Sequence, residues 1–240
     1  MSRASLFNGG PVPDLSSHRG LHYGDGIFRT CFIYDSQVID INEQCELAAA
    51  DAGRLGLAPV PAERLSAEAR QLARGQRGGV LKILLLRGGQ GRGYRPEGAS
   101  TDRLLSRYEA PAYRPDAWEQ GVSVRRSTFT LAAQPALAGI KHLNRLEQVL
   151  ASRDWEAGVD GYMRRKVLAL APALGLECRV QHGRWEELDA AEEVFLTNSL
   201  IGIWPVARLD RQRWAAPGPV TRRLMERLAH PRWAHAGRAA

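Results

Sequence analysis

The stretch "ALAGIKHLNRLEQVLASRDW" (136–155) contains a lysine, Lys141, directly before a sequence that predicts a helix. Lysine is rare in this chain, because only Lys82, Lys141 and Lys166 are lysines among 33 basic side chains. An amine, unlike a guanidinium, loses its proton near neutral pH when it is desolvated, and the free amine attacks carbonyl groups. The count alone does not choose among the three lysines, but the motifs that accompany Lys141 favour it as the nucleophile.

The sequence patterns for the strands and helices that must position this lysine predict an α+β fold. The segment "IFRTCFIYD" (27–35), the polar turn after it and "VIDI" (38–41) predict a hairpin, and "GVLKILLLRGG" (79–89) predicts a buried strand. Helices are predicted over 42–57, after the proline at 61 and over 161–176, and a strand–turn–strand over 192–206.

The segment after Lys141 has the pattern of a capped helix. Asn144 and Glu147 have the spacing of a capping box, and Leu143, Leu146 and Leu150 would share one face.

Composition excludes several classes of protein. The chain has a net charge of +7 and a pI near 9.8, but its arginines are dispersed and no nucleic-acid-binding motif accompanies them. No apolar run reaches about 18 residues, which predicts no membrane span. The N-terminus lacks the apolar core of a secretion signal, and three widely spaced cysteines give no disulfide or zinc framework, so a cytoplasmic protein is expected. A basic surface suits a small anionic substrate.

Three motifs occur in a fixed order: "RGLHYGDGIFRT" (19–30), "LRGGQGRGY" (86–94) and "LAGIKHLNRLEQVLA" (137–151). Together they resemble the aminodeoxychorismate lyases, a branch of the pyridoxal-phosphate enzymes of fold type IV that also include branched-chain and D-amino-acid aminotransferases. The third motif is the most specific, and the resemblance extends from about residue 5 to about residue 206.

The resemblance implies a two-domain, homodimeric enzyme that uses pyridoxal 5'-phosphate. Lys141 would form a Schiff base with the cofactor aldehyde and then remove the C4 proton of 4-amino-4-deoxychorismate. Loss of pyruvate would leave p-aminobenzoate, a folate precursor. Thr30 would help to protonate the leaving enolpyruvyl group, although a threonine is also an ordinary strand residue.

The resemblance also implies the residues that bind substrate and cofactor. Arg92 and Tyr94 would meet a substrate carboxylate, since an arginine fork suits two oxygens. His22 and Tyr23 would line the entrance to the site. The cofactor phosphate would be bound by the four residues of two turns: Tyr162, Met163, Asn198 and Ser199. No metal is implied.

Two departures from the family pattern stand out. Gln44 and Leu47 occupy the positions where the family has a histidine and a phosphate-binding arginine, a loss of about 1.5–3 kcal/mol of binding. A few dozen residues are missing after residue 160, and with them the glutamate that pairs with the pyridine nitrogen of the cofactor. Glu177 and Glu186 lie in no matching motif. The carboxylate keeps that nitrogen protonated, so its absence weakens the electron sink.

The predicted domains are residues 1–108 and 122–240, the second carrying Lys141 and shortened by the deletion, with a linker over 109–121. The sequence leaves three functions open. They are a working lyase, a non-catalytic relative that binds or scaffolds, and an aminotransferase on the same fold.

Overall fold

The computed structural model describes residues 4–89, 93–96, 98, 100–129, 131–151, 161–181 and 184–236. Its contacts divide the chain into two compact units. The first is Met1–Pro111 with Ala133–Leu146, and the second is Ala112–Ala132 with Glu147–Ala240. Within the described ranges, every helix is too short or too polar to cross a bilayer.

The strands are β1 (Ala4–Phe7), β2 (Gly26–Tyr34), β3 (Gln37–Val38), β4 (Gly78–Arg87), β5 (Thr101–Tyr108), β6 (Val122–Val124), β7 (Phe195–Asn198), β8 (Gly202–Leu209) and β9 (Gln212–Arg213). The helices are α1 (Arg19–His22), α2 (Ile41–Arg54), α3 (Ala62–Ala73), α4 (Leu146–Ala151), α5 (Tyr162–Leu170), α6 (Pro219–Leu228) and α7 (Pro231–Ala236). Short 3-10 turns span Pro115–Ala117, Ala171–Leu174 and Trp185–Ala190.

The first unit is built on an antiparallel sheet with the strand order β1-β5-β4-β2-β3. Side chains alternate between the two faces of a strand, so every second residue of β2 and β4 is directed toward the helices α2 and α3. These residues form the core with the apolar positions of the two helices: Ile27, Cys31, Ile33, Leu81, Ile83, Leu85, Cys45, Ala48, Leu65 and Ala69.

The opposite face of this sheet carries the intervening residues. Thr30 is the register partner of Lys82 in the pairing of β2 with β4, so the two side chains lie opposite each other. Phe28 lies two residues before Thr30 and therefore on the same face. This face is where the candidate site is found.

The second unit contains a sheet in the order β6-β8-β7, with β9 also paired to β8. Its core includes Trp118, Val167, Ile203 and Leu224. Trp118 is 3% exposed, and its indole N–H donates to the carbonyl of Ile201 over 2.8 Å. Residues 112–121 of the predicted linker therefore pack within this unit.

The α+β class is confirmed, and the predicted hairpin, buried strand, helices and strand–turn–strand are present. The second strand of the hairpin is shorter than expected, because Ile41 begins α2, and α5 ends at Leu170, where a 3-10 turn continues to Leu174. The capping box is wrong. Asn144 donates to the carbonyl of Gly24 over 3.2 Å, and the Glu147 carboxylate accepts the N–H of Ala132 over 3.3 Å, so tertiary contacts take both side chains. Leu146 is 79% exposed, which argues against the expected apolar face.

The contacts of Lys141 lie in the first unit, whereas the sequence predicts this lysine in a domain that starts at residue 122. The reason is that its segment pairs with β2. As a division into folding domains, the boundaries at 108 and 122 stay a prediction.

Candidate active site

The segment around Lys141 extends the sheet of the first unit at the outer edge of β2. The N–H of Phe28 donates to the carbonyl of Lys141 over 2.9 Å, and the N–H of Leu143 donates to the carbonyl of Gly26 over 3.0 Å. An antiparallel bridge joins Ile27 to His142. The backbone from the carbonyl of Lys141 to the N–H of Leu143 is thus fixed to the strand that carries Phe28 and Thr30.

Two glycines of the first motif allow close approach, one to the third motif and the other to β4. Gly24 has φ +60°, and a Cβ there would lie 2.6 Å from the side-chain oxygen of Asn144. A Cβ on Gly26 would collide with the carbonyl of Leu85. Only glycine lets the turn before β2 approach both neighbours this closely.

The amine of Lys141 lies over an aromatic ring in the company of other cations. Its Nζ is 4.8 Å from the centroid of the Phe28 ring. The Nζ of Lys82 is 5.1 Å from the same centroid, and the guanidinium carbon of Arg145 is 5.8 Å away. Arg145 is oriented by hydrogen bonds to the carbonyls of His142 and Ile140, at 2.8 and 2.9 Å.

This environment lowers the pKa of Lys141 from 10.5 to about 8. Burial is the largest cause, because it disfavours the charged ammonium. Repulsion by Arg145 and Arg29 lowers the pKa further, Asp51 opposes them, and Lys82 adds a smaller contribution. The amine is therefore unprotonated in a useful fraction of molecules near neutral pH, as a nucleophile or general base must be.

Thr30 shares the sheet face of this amine. Its register partner is Lys82, whose ammonium lies over the same ring as that of Lys141. The role of Thr30 in proton transfer stays a prediction.

Of the expected substrate-binding residues, Tyr23 and Tyr94 come together. Their ring centroids are 5.8 Å apart, and the Tyr23 hydroxyl accepts the N–H of Gly93 over 2.9 Å. Arg19 donates to the carbonyl of Gly93 over 2.8 Å, so the glycine loop is tied to α1. Tyr94 is 91% exposed. Arg92 lies outside the described residues.

His22 has local partners. Its Nε2 lies 2.5 Å from the carbonyl oxygen of Ser16, and its ring is 6.3 Å from that of Tyr23. A role at the entrance to the site stays a prediction.

The four expected phosphate-binding residues lie in the second unit. Tyr162 and Met163 are the first residues of α5. The N–H of Arg165 donates to the carbonyl of Gly161, the residue directly before this helix. Asn198 closes the turn after β7, where its side-chain oxygen accepts the N–H groups of Leu200 and Ile201. Ser199 follows in the same turn, and its carbonyl lies 3.3 Å from His230 Nε2. Their role toward a phosphate stays a prediction.

Sequence reasoning missed four charged neighbours of the amine: Lys82, Arg145, Arg29 and Asp51. A lysine inside the apolar run "GVLKILLL" is one signal that could have found Lys82, because a charged side chain in a buried strand needs either an ion-pair partner or a functional role. Asp51 in an alanine-rich helix and Arg29 in an apolar strand carry the same signal.

The model of the class IV amino-transferase family matches residues 26–158 and 155–209, which together cover more than half of the chain. The chain belongs to the class IV aminotransferases. This family depends on pyridoxal phosphate, and the α+β architecture found here is that of its fold type IV members.

The chain is similar to two lyases and to an aminotransferase. The chain is 29% identical over 259 residues to an aminodeoxychorismate lyase of Vibrio harveyi, covering 88% of this chain and 93% of the relative. It is 33% identical to the crystal structure of 4-amino-4-deoxychorismate lyase from Pseudomonas aeruginosa, with a TM-score of 0.86 over 94% of this chain and 98% of that one. A branched-chain aminotransferase of Escherichia coli, at 24% identity, has the same fold, with a TM-score of 0.82 over 92% of each chain.

The class IV match is divided into two stretches that meet at residues 155–158. This break lies directly before the expected deletion after residue 160. The position of the break is consistent with the shortened second half that the sequence predicts.

Proposed function

We propose that this chain is an aminodeoxychorismate lyase, which converts 4-amino-4-deoxychorismate to p-aminobenzoate and pyruvate. The observation that carries the proposal is the Lys141 amine, partly buried over Phe28 with its pKa lowered to about 8. Similarity to known lyases also supports the proposal, because relatives at 29% and 33% identity match 88% and 94% of this chain.

The residues fit the covalent attachment of pyridoxal phosphate. A carbonyl needs an unprotonated amine, and the lowered pKa of Lys141 supplies one. Tyr162 and Met163 at the start of α5, with Ser199 and Asn198 in the turn after β7, would hold the phosphate. Leu47 provides no charge for it. When bound, the cofactor supplies an electron sink for the negative charge that develops at the substrate carbon.

The chain's own groups would bind the substrate and move its protons. Lys82 and Arg145 flank the amine and provide positive charge for the substrate's carboxylates. Arg92 and Tyr94 would hold one carboxylate from the glycine loop, and Tyr23 would keep that loop in place through Gly93.

Proton transfer falls to two side chains. The Nζ of Lys141 would take the proton from C4 of the substrate. The hydroxyl of Thr30, on the same sheet face, would donate a proton to the enolpyruvyl group as it leaves. These roles need one group that is neutral and one that is a donor at the same pH, which an amine with a pKa of about 8 and a hydroxyl provide.

The test is release of p-aminobenzoate by the purified protein supplied with pyridoxal phosphate and 4-amino-4-deoxychorismate. Lys141→Ala is expected to abolish release, and Arg64→Ala, which removes an exposed cation of α3, is expected to retain it. Borohydride reduction followed by peptide mass spectrometry should find the cofactor on Lys141. A protein that acquires the cofactor but releases no p-aminobenzoate is not a lyase. Activity with D-alanine and a keto acid would then identify an aminotransferase, and no activity at all would identify a binding or scaffold protein.

A further inference from the structure

A buried carboxylate lies directly behind the reactive lysine. Asp51, on α2, is 7% exposed, and its Oδ2 accepts two hydrogen bonds. One comes from the guanidinium of Arg29 over 2.6 Å and the other from the backbone N–H of Lys141 over 3.0 Å. The second bond joins residues that are 90 positions apart in the sequence.

The ion pair between Arg29 and Asp51 has a high desolvation cost for a contact that only attaches α2 to the sheet. Arg29 is 4% exposed and also donates to the carbonyl of Leu47 over 3.0 Å. Removing two charges from water costs about as much as their attraction returns, and apolar residues of similar size usually pack as well or better. Attachment of α2 to β2 therefore does not explain the pair. What an apolar pair could not supply is the acceptor for the N–H of Lys141.

The backbone bonds around Lys141 show what that acceptor completes. The carbonyl of Lys141 is fixed by the N–H of Phe28, and the next residues are fixed through Gly26. The bond from Lys141 to Asp51 fixes the peptide on the other side of the same Cα. With both peptides held, only the side-chain torsions of Lys141 remain to be set, and the amine is directed over Phe28.

We infer that Asp51, backed by Arg29, is a positioning residue that holds Lys141 in place for reaction with a carbonyl group. The inference deepens the proposed function and rests on it only in taking Lys141 as the reacting amine. Asp51 acts through the backbone of residue 141 and is not itself a catalytic residue.

Asp51 also acts on the amine through its charge, and the two effects can be separated. The charged groups that act on the pKa of the amine are Arg29 on β2, Lys82 on β4, Arg145 on its own segment and Asp51 on α2. Asp51 alone favours the ammonium form. Loss of the charge should lower the pKa of Lys141, whereas loss of the acceptor should misplace the amine at every pH.

The experiment measures labelling of Lys141 by pyridoxal without its phosphate, trapped with cyanoborohydride and quantified by peptide mass spectrometry from pH 6 to pH 10 on protein freed of cofactor. The wild-type rate should reach a plateau above a midpoint near pH 8. Asp51→Asn keeps an oxygen acceptor and loses the charge, so its midpoint should fall by about one unit with a plateau within about twofold of wild type. Glu46→Gln, an equal charge change on the exposed side of α2, should leave both unchanged.

The decisive variant is Arg29→Leu/Asp51→Leu, which removes both charges and keeps an apolar contact between α2 and β2. It should unfold in urea at or above the wild-type midpoint and yet label Lys141 about tenfold more slowly on the plateau. Arg29→Gln/Asp51→Asn, which can keep the hydrogen bonds without the charges, should restore the plateau to within about twofold.

A wild-type plateau in the doubly apolar variant would overturn the inference, because Asp51 would then be only structural. A failed lyase is a separate outcome, since it is seen as absence of p-aminobenzoate from the wild type. The labelling result does not depend on it.

Discussion

The backbone N–H of Phe28 donates to the backbone carbonyl of Lys141, and the ring of the same phenylalanine lies 4.8 Å from the Lys141 amine. Phe28 thus fixes the main chain of Lys141 through its N–H and packs its ring against the lysine side chain. The same ring also contacts Lys82, whose ammonium is 5.1 Å from the ring centroid. The closeness of these groups makes the chemistry of the amine dependent on residues far away in the sequence.

Lys82→Met should raise the pKa of Lys141, because a neighbouring positive charge that disfavours the ammonium is removed. The midpoint of the pH–rate profile should rise by about half a unit, and KM for the anionic substrate should rise about tenfold. The measurement is kcat/KM against pH. Lys82→Arg keeps the charge and is the matched control. An unchanged profile in Lys82→Met would show that this lysine does not act on the amine.

Lys141→Met should stabilise the protein at pH 7. The folded-state pKa of Lys141 is about 8 against 10.5 for the free side chain, so the unfolded state binds more protons between these values and stability rises with pH across that window. Below that pH window the free-energy cost of burying the Lys141 ammonium is fully present, and the substitution to methionine removes this cost.

The expected gain is about 1–3 kcal/mol in the free energy of unfolding at pH 7, shrinking toward zero as the pH approaches 10.5. Urea unfolding at both pH values measures it, with Lys166→Met as the control for a lysine of the second unit. A loss of stability at pH 7 would contradict the lowered pKa.

Gly24→Ala should destabilise the first unit by about 1–3 kcal/mol. The new Cβ would meet the side chain of Asn144 while the backbone keeps a φ of +60°. Adding Asn144→Ala removes the collision but not the backbone strain, so the double variant should recover part of the loss in urea unfolding. Equal destabilisation in the single and double variants would mean that the glycine serves the turn alone.

Leu47→Arg should strengthen binding of pyridoxal phosphate about tenfold to a hundredfold, since it restores a charge-assisted contact worth about 1.5–3 kcal/mol. Equilibrium dialysis with the Lys141→Ala background isolates this non-covalent term. Ala50→Arg adds the same charge to an exposed position of α2 and should have little effect. Equal effects of the two substitutions would refute a specific role for position 47.

The strands and helices were largely predictable, because burial imposes a period of two on β2 and β4 and a period near 3.6 on α2 and α3. The failed prediction is local. Asn144 and Glu147 have the spacing of a capping box, but Gly24 and Ala132 take their side chains. A spacing rule sees only neighbours in the sequence, and here the competing partners are distant.

The sequence by itself determined the family and the proposal of Lys141 as the reacting amine, because both rest on the order and composition of three motifs. Only the tertiary structure decided what surrounds the amine. Asp51, Arg29 and Lys82 come from three separate elements, α2, β2 and β4, and reach Lys141 through strand register and helix packing. Periodicity tells which side chains are buried, while the long-range pairing of strands determines which of them meet. The amine on which the proposed chemistry depends is buried by that arrangement, and burial is the largest cause of its lowered pKa.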